Sequence, residues 1–346
     1  MSAPAFRLTD STLRDGSHAV RHQYTEQQVT DIVTGLDRAG VAVLEVSHGD
    51  GLGGSSFNYG FSGTDEYKLV NAAVAAATNA KIACLLIPGI GTVDDLKAIA
   101  DLGVKVARIA THCTEADIAE QHIGMAKQLG LEAVGFLMMA HMTEPDQLLA
   151  QARIMQDAGA DLVYCVDSAG AMTTPMARDR IAMLTAGLDI GVGMHSHENL
   201  SLSVANSLAA LEAGAVHVDT CTTGAGAGAG NCPTETFVAV CEKLGIETGV
   251  DTLAVMDVAE DIVRPAMQRP QIVDRAALIL GYAGVYGSFM LHSERAAARY
   301  GVSQAEILLE LGRRKVVGGQ EDMIIDVALE LAEKARQRPA SQEAGS

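Results

Sequence analysis

The stretch VKVARIATHCTEADIAEQHIGMAKQLGLEAVGFLMM, residues 104–139, contains one complete structural unit of this chain. It opens on a short apolar run over residues 104–110, with little alternation between apolar and polar positions, as a strand buried on both faces requires. Helical periodicity follows over residues 115–129. That segment ends in Leu129-Gly130, where a glycine just past the last turn relieves the left-handed cap, and the next apolar run, residues 132–139, begins at once.

The same order recurs in both directions. Strand-like runs fall at residues 6–9, 41–47, 81–87, 104–110, 132–139, 161–167, 190–195 and 216–220, and helical patterns at 26–39, 65–77, 93–101, 115–129, 145–158, 175–186 and 202–213. Gly40, Gly103, Gly130, Gly159 and Gly214 punctuate the helix ends. Strand starts lie roughly 30 residues apart, the size of one βα unit. Eight such strands predict an α/β fold, a (β/α)8 TIM barrel over residues 1–245, with a doubly wound sheet as the alternative. Beyond residue 245 helical patterns at 252–264, 274–280, 293–300, 304–311 and 322–336 follow with no strand between them, so residues 246–336 read as a helical C-terminal domain. Residues 337–346 are small and polar and read as a disordered tail.

Composition narrows the function. Of 346 residues, 48% are hydrophobic and 20% charged, enough apolar surface for a large core. The net charge of −18 argues against nucleic acid and anionic membranes as partners, since no basic surface is available to neutralise phosphates. A small anionic substrate remains compatible, because a local arginine and a metal ion decide the field inside a pocket. The six cysteines show no CxxC spacing and read as reduced thiols of a cytoplasmic protein. The start MSAPAFRLTD lacks a basic n-region and an apolar h-region, and no apolar run reaches the ~18 residues of a membrane-spanning helix.

Two segments carry the chemistry. Asp10-Ser-Thr-Leu-Arg-Asp-Gly16 places Arg14 and Asp15 just past the first strand, and Met194-His-Ser-His-Glu-Asn199 places His195 and His197 on one face at the end of the seventh. In such a barrel the strands' C-terminal ends form the active-site rim, and strands one and seven both flank strand eight. Asp15, His195 and His197 thus make an N,N,O ligand set for a divalent metal with open positions, which a 2-oxo acid can fill through its carboxylate and carbonyl oxygens. Arg14 can then donate to the oxygen that becomes negative in an enolate. His18 lies on the same rim, placed to take a proton near neutral pH, although His22, His48, His112 and His141 hold comparable positions. Ser168, at the end of the sixth strand, can offer a hydroxyl to a carboxylate. The long glycine-rich loop 49–63 sits where it can cover the pocket, and Gly224-Ala-Gly-Ala-Gly-Ala-Gly230-Asn231 reads as close backbone approach or a tight turn, not a dinucleotide fingerprint. Tyr286 reaches the site only if the helical domain folds back over the barrel mouth.

Together these residues resemble the superfamily of metal-dependent lyases on a TIM barrel that carry D-x-T-L-R-D-G, which includes 3-hydroxy-3-methylglutaryl-CoA lyase. Within it the chain is most similar to the 4-hydroxy-2-oxovalerate (4-hydroxy-2-oxopentanoate) aldolases, through Leu13-Arg-Asp-Gly-Ser-His-Ala-Val-Arg-His-Gln23, residues 48–61, 108–117 and 281–286, and Gly318-Gly-Gln-Glu-Asp322. The resemblance implies a pyruvate-specific class II aldolase that cleaves 4-hydroxy-2-oxopentanoate, or a close homologue, to pyruvate and a short aldehyde in aromatic or steroid catabolism. It implies that Asp15, His195 and His197 bind Mn2+ (Mg2+ and Co2+ being alternatives), that Arg14 stabilises the enolate and that His18 takes the C4-hydroxyl proton. Arg14, Asp15, Ser168, His195 and Tyr286 would contact substrate. It further implies an acylating acetaldehyde dehydrogenase as partner, in a heterotetramer with substrate channelling, with the helical domain contacting both the barrel mouth and that partner.

The chain departs from this pattern at Ser196, where relatives carry glycine, and over Asp219-Thr-Cys-Thr-Thr-Gly224. Two other functions share these residues: a Claisen-type synthase joining acetyl-CoA to a 2-oxo acid, and a non-catalytic scaffold for a dehydrogenase.

Overall fold

The computed structural model describes residues 6–337. Eight strands, β1 (Arg7–Leu13), β2 (Val43–Val46), β3 (Lys81–Leu86), β4 (Val106–His112), β5 (Glu132–Met138), β6 (Leu162–Asp167), β7 (Gly191–Ser196) and β8 (His217–Thr220), form a closed barrel in sequence order. All neighbours are parallel, and β1 closes on β8 with Thr9 opposite Asp219 and Asp10 opposite Thr220. The five punctuating glycines all take positive φ, from 75° at Gly130 to 102° at Gly103, and each is followed within a few residues by the next strand.

Two elements differ from the sequence pattern. The first strand does not stop at residue 9 but runs on to Leu13. Asp10, Ser11 and Thr12 look like turn residues, yet Asp10 is buried because the chain after β8 supplies it with donors: Thr222 N (3.0 Å), Thr222 Oγ1 (2.8 Å) and Thr234 Oγ1 (2.7 Å). These bonds also account for much of the unusual segment after Asp219. A helix at Thr234–Lys243, absent from the helical patterns above, completes the eighth βα unit.

Side chains on the outer faces of the strands pack against the surrounding helices, while Val43, Leu85, Val106, Val134, Phe136 and Tyr164 fill much of the barrel's interior. Gly193 on β7 leaves the space that the Tyr164 ring occupies, since a Cβ there would lie 2.6 Å from its Cζ.

Past the barrel, the helix expected over residues 252–264 is divided. Thr252–Asp257 is α-helical, Val258–Val263 forms a π-helical turn, and Arg264–Ala266 resumes the helix. Pro265 has no N–H for the regular ladder, and a wider turn accommodates that loss. Val255, Val258 and Val263 pack into the barrel's outer core. The helices Arg275–Ala283, Phe289–Tyr300, Gln304–Arg313 and Met323–Gln337 have their own core around Leu280, Val285, Phe289, Leu308, Leu311 and Val327. The expected tail lies outside the described residues apart from Gln337, which ends the last helix. No helix among the described residues is long and apolar enough to cross a membrane.

Candidate active site at the barrel mouth

β1 ends in a turn of 3-10 helix, Asp15–Val20, which holds Arg14 and Asp15 at the rim. β7 presents His195 on its inner face, and His197, one residue past the strand's end and bridged to Asn231, continues that alternation on the same side. Asp15 Oδ2 lies 3.8 Å from His195 Nε2 and 3.7 Å from His197 Nε2, and the two imidazole nitrogens are 3.3 Å apart. All three residues are buried. Donors about 2.1 Å from one cation stand about 3.0–3.4 Å apart at octahedral or tetrahedral angles, so this cluster needs only small adjustments to hold a divalent ion.

The protonation states suit that use. Burial alone would raise the Asp15 carboxyl, but Arg14 and the neighbouring histidines hold it well below the ordinary carboxylate range. Burial pushes His197 down to about 4, against the pull of Asp15, so the ring is neutral and its nitrogen free to ligate near pH 7. His195 Nδ1 pairs with Asp219 Oδ2 at 2.9 Å, which fixes its tautomer and leaves Nε2 facing His197 and Asp15.

Asp219 belongs to a buried ionic chain that isolated motifs did not reveal. Arg108 Nη2 donates to Asp219, and Arg108 Nη1 lies 2.9 Å from Glu45 Oε1. Glu45 in turn accepts from Arg14 Nε at 2.8 Å. The Arg108 guanidinium sits 4.5 Å from the Phe136 ring centre and 4.6 Å from that of Tyr164. The chain thus ties Arg14 to a histidine of the metal-type cluster through the barrel interior. A single charge inside an otherwise apolar strand, as at Glu45 and Arg108, is the sequence signal for such a network, since charges are rarely buried unpaired.

Arg14 is committed at two of its three guanidinium nitrogens. Nε bonds Glu45, Nη1 bonds Asp15 Oδ2 at 2.5 Å, and Nη2 is buried with no partner among the described residues. Asn231, the residue that ends the glycine run, donates from Nδ2 to Asp15 Oδ1 at 2.8 Å, while its own Oδ1 is buried without a partner among the described residues. Gly226 passes so close that a Cβ there would lie 2.2 Å from Asn231 Nδ2 and 3.0 Å from Asp15 Oδ1. The run therefore brings backbone against the cluster.

His18 lies beyond Asp15 on the same turn, half-buried, and lines a cavity of about 400 Å3 with Arg21, Gly226 and Gln271. Its ring meets His22 edge-on, with 4.8 Å between ring centres. Loop 49–63 lies beside this group, where His48 Nε2 bonds Gly60 O and Gly63 N bonds His22 O. Ser168 and Tyr286 are not brought into the Asp15 cluster by any hydrogen bond. Ser168 Oγ accepts from Met139 N at 3.0 Å, and Tyr286 packs on Phe289 and faces Gly318 in the helical region. Ser196 points away from the ligand face, and its hydroxyl is buried without a partner among the described residues; nothing in the structure explains it.

Residues 5–262 match the HMGL-like family, and residues 271–333 match the DmpG-like communication domain. The 4-hydroxy-2-oxovalerate aldolase 1 of Rhodococcus erythropolis is 59% identical over 331 residues, covering 95% of each chain. The chain belongs to the HMGL-like family, among its 4-hydroxy-2-oxovalerate aldolases. A family member from Carboxydothermus hydrogenoformans, named 4-hydroxy-2-oxovalerate aldolase, is 57% identical over 335 residues, 97% of this chain and 100% of its own. The carboxyl transferase domain of Rhizobium etli pyruvate carboxylase shares the fold of the present chain, with a TM-score of 0.77 at 16% identity, over 95% of this chain and 60% of that one.

Proposed function

We propose that the protein is a carbon–carbon lyase that cleaves 4-hydroxy-2-oxopentanoate, or a close homologue, to pyruvate and a short aldehyde. The observation that carries this reading is Arg14 Nη2, a buried cationic donor with no partner among the described residues, beside the Asp15, His195 and His197 cluster. A donor so placed is matched to an oxygen that gains negative charge during reaction. A divalent cation held by Asp15, His195 and His197, Mn2+ by preference and Mg2+ or Co2+ otherwise, would supply Lewis-acid polarisation of a 2-oxo acid.

His18 takes the proton of the C4 hydroxyl. The C3–C4 bond then breaks, the aldehyde leaves, and the electron pair passes into the enolate of pyruvate, whose C2 oxygen Arg14 receives. Protonation at C3 completes pyruvate. Asp219 and Arg108 position His195, and Glu45 positions Arg14. Ser168 and Tyr286 complete the substrate pocket once substrate is bound.

Residues 1–245 form the catalytic barrel in this reading, and residues 246–336 the helical domain that meets an acylating acetaldehyde dehydrogenase in a heterotetramer. The match to a communication domain supports the partner. The setting would be cytoplasmic catabolism of aromatic compounds or steroids.

The test is to incubate protein, Mn2+ and 4-hydroxy-2-oxopentanoate and to read pyruvate with lactate dehydrogenase. Metal-dependent pyruvate formation that is lost in Asp15→Asn is expected. Absence of pyruvate, with metal-dependent thiol release from acetyl-CoA and a 2-oxo acid, would replace the aldolase by a synthase. His18→Ala should lower cleavage far more than proton exchange at the methyl group of pyruvate, which does not involve the C4 hydroxyl.

A further inference from the structure

The rim carries a second cluster of ligand-type side chains. His18, His22 and Asp50 each offer one nitrogen or oxygen atom, and these atoms all lie within 4.8 Å of one another. We propose that they form a second divalent-cation site, suited to a borderline-soft ion such as Zn2+, and that filling it withdraws His18 from proton transfer.

His22 is the fixed member. It is buried, and its backbone takes φ +59°, directly after Arg21 at +54°. Two consecutive non-glycine residues in the left-handed region are costly and persist only where the surroundings enforce them. Here His22 N bonds Ser17 O at 2.8 Å, and Gly63 N bonds His22 O at 2.9 Å. The side chain is oriented as well. Ser17 Oγ donates its one proton to Arg14 O at 2.6 Å, so it accepts from His22 Nδ1 at 2.9 Å. With Ser17 as acceptor the lone pair is on His22 Nε2, which also faces the Tyr59 backbone carbonyl, so an ion there has to displace that contact. A ring whose other N–H is held by an oxygen is the usual arrangement of a metal-binding histidine.

His48 stacks on His22 with 3.8 Å between ring centres but is excluded as a ligand. Its Nδ1 accepts from Asp50 N at 3.1 Å and its Nε2 donates to Gly60 O at 3.1 Å, so both nitrogens are used. Among the described residues the Asp50 carboxylate makes no hydrogen bond, only a 3.5 Å approach to His48 Nδ1. His18 and Asp50 are both partly exposed and can rotate inward. Donors about 2.0–2.1 Å from a tetrahedral Zn2+ stand about 3.3 Å apart, so those two side chains must close the present spread while His22 stays in place. The cavity that His18 lines leaves room for water as a fourth ligand.

The cation site stands on geometry alone; its effect on turnover rests on the reading of His18 as the base. The two are tested together on the full-length enzyme loaded with Mn2+. Zn2+ is titrated calorimetrically, Mn2+ and Zn2+ contents are measured after desalting, and pyruvate formation is followed over the same range. One additional Zn2+ per chain with Mn2+ retained is expected, and turnover should fall along the same binding curve. Asp50→Asn and His22→Asn, the latter because asparagine tolerates a left-handed backbone, should each weaken the added Zn2+ at least tenfold. Both should keep their Mn2+ content, and Asp50→Asn its basal turnover. One-for-one loss of Mn2+ on adding Zn2+, or an extra Zn2+ bound equally well by both variants, would overturn the site. Stoichiometric extra Zn2+ with unchanged turnover would instead overturn the assignment of His18 as base.

Discussion

Replacing Asp219 by asparagine tests whether the buried ionic chain serves the metal cluster. In the native protein one carboxylate oxygen receives both His195 Nδ1–H and the Arg108 guanidinium. The connected charges are Arg14 and Arg108 against Asp15, Glu45 and Asp219, a net −1 facing any bound cation. Asp219→Asn makes that sum zero and leaves Arg108 with Glu45 alone. The amide can still accept one hydrogen bond, but it can also turn its NH2 toward His195 and favour the wrong tautomer. Losing such an outer partner typically costs 10–100-fold in metal affinity, or about 1.4–2.7 kcal/mol. Removing one member of a buried ion pair costs about 3–5 kcal/mol of stability. The expected result is a Mn2+ Kd raised 10–100-fold by calorimetry, a lowered Tm, and a kcat that recovers substantially when Mn2+ is raised in proportion. Unchanged Mn2+ affinity in a folded variant would refute the reasoning. So would a loss of kcat that no concentration of Mn2+ relieves.

Arg14→Lys should cut kcat by about 10²–10³, because a single ammonium cannot bond Glu45 and Asp15 and still present a donor to the enolate. Methyl-proton exchange of pyruvate should fall in parallel, and a much smaller loss of exchange than of cleavage would contradict the enolate role. Gly226→Ala places a Cβ 2.2 Å from Asn231 Nδ2 and should weaken Mn2+ binding while changing Tm little; normal affinity would show that Asn231 does not hold Asp15 in place. For the metal-free protein, burial pushes His141 and His217 down to about 4 from the ordinary 6.5. The unfolded chain therefore takes up protons from pH 6.5 downward while the folded one does not until about 4. Stability falls across that window, by up to about 1.4 kcal/mol per pH unit for each histidine. Urea midpoints that stay flat from pH 6.5 to 4.5 would contradict those shifts.

The barrel is legible because both sides of each strand are covered, so the strands appear as unbroken apolar runs between glycine-capped helices. The metal-type cluster is legible because Asp15, His195 and His197 are polar residues at strand ends, where the architecture converges. What was missed depends on partners far away in sequence. Asp10 belongs to a strand only because Thr222 and Thr234 reach it across more than 200 residues. Arg108 and Asp219 are 111 residues apart and become intelligible only as a pair. The helix Thr234–Lys243 was hidden behind the glycine run and Pro233, which favour reading the whole region as loop. Asn231 was visible at the end of that run, but its bond to Asp15 depends on the path of the loop. Local periodicity records burial well; it does not record which buried charges meet.

The seam between β1 and β8 has a consequence for the order of assembly. Asp15 lies near the start of the chain, while His195, Asp219 and Asn231 arrive some 180 to 216 residues later. No nascent chain shorter than about two thirds of the whole can present the complete cluster. Metal acquisition at this cluster would thus be tied to the last act of barrel closure, and a bound ion would act as a clasp across the seam where the first and last strands meet. An ion there would slow the unzipping of that seam more than any other local opening, and hydrogen exchange along β1 and β8 would register its arrival.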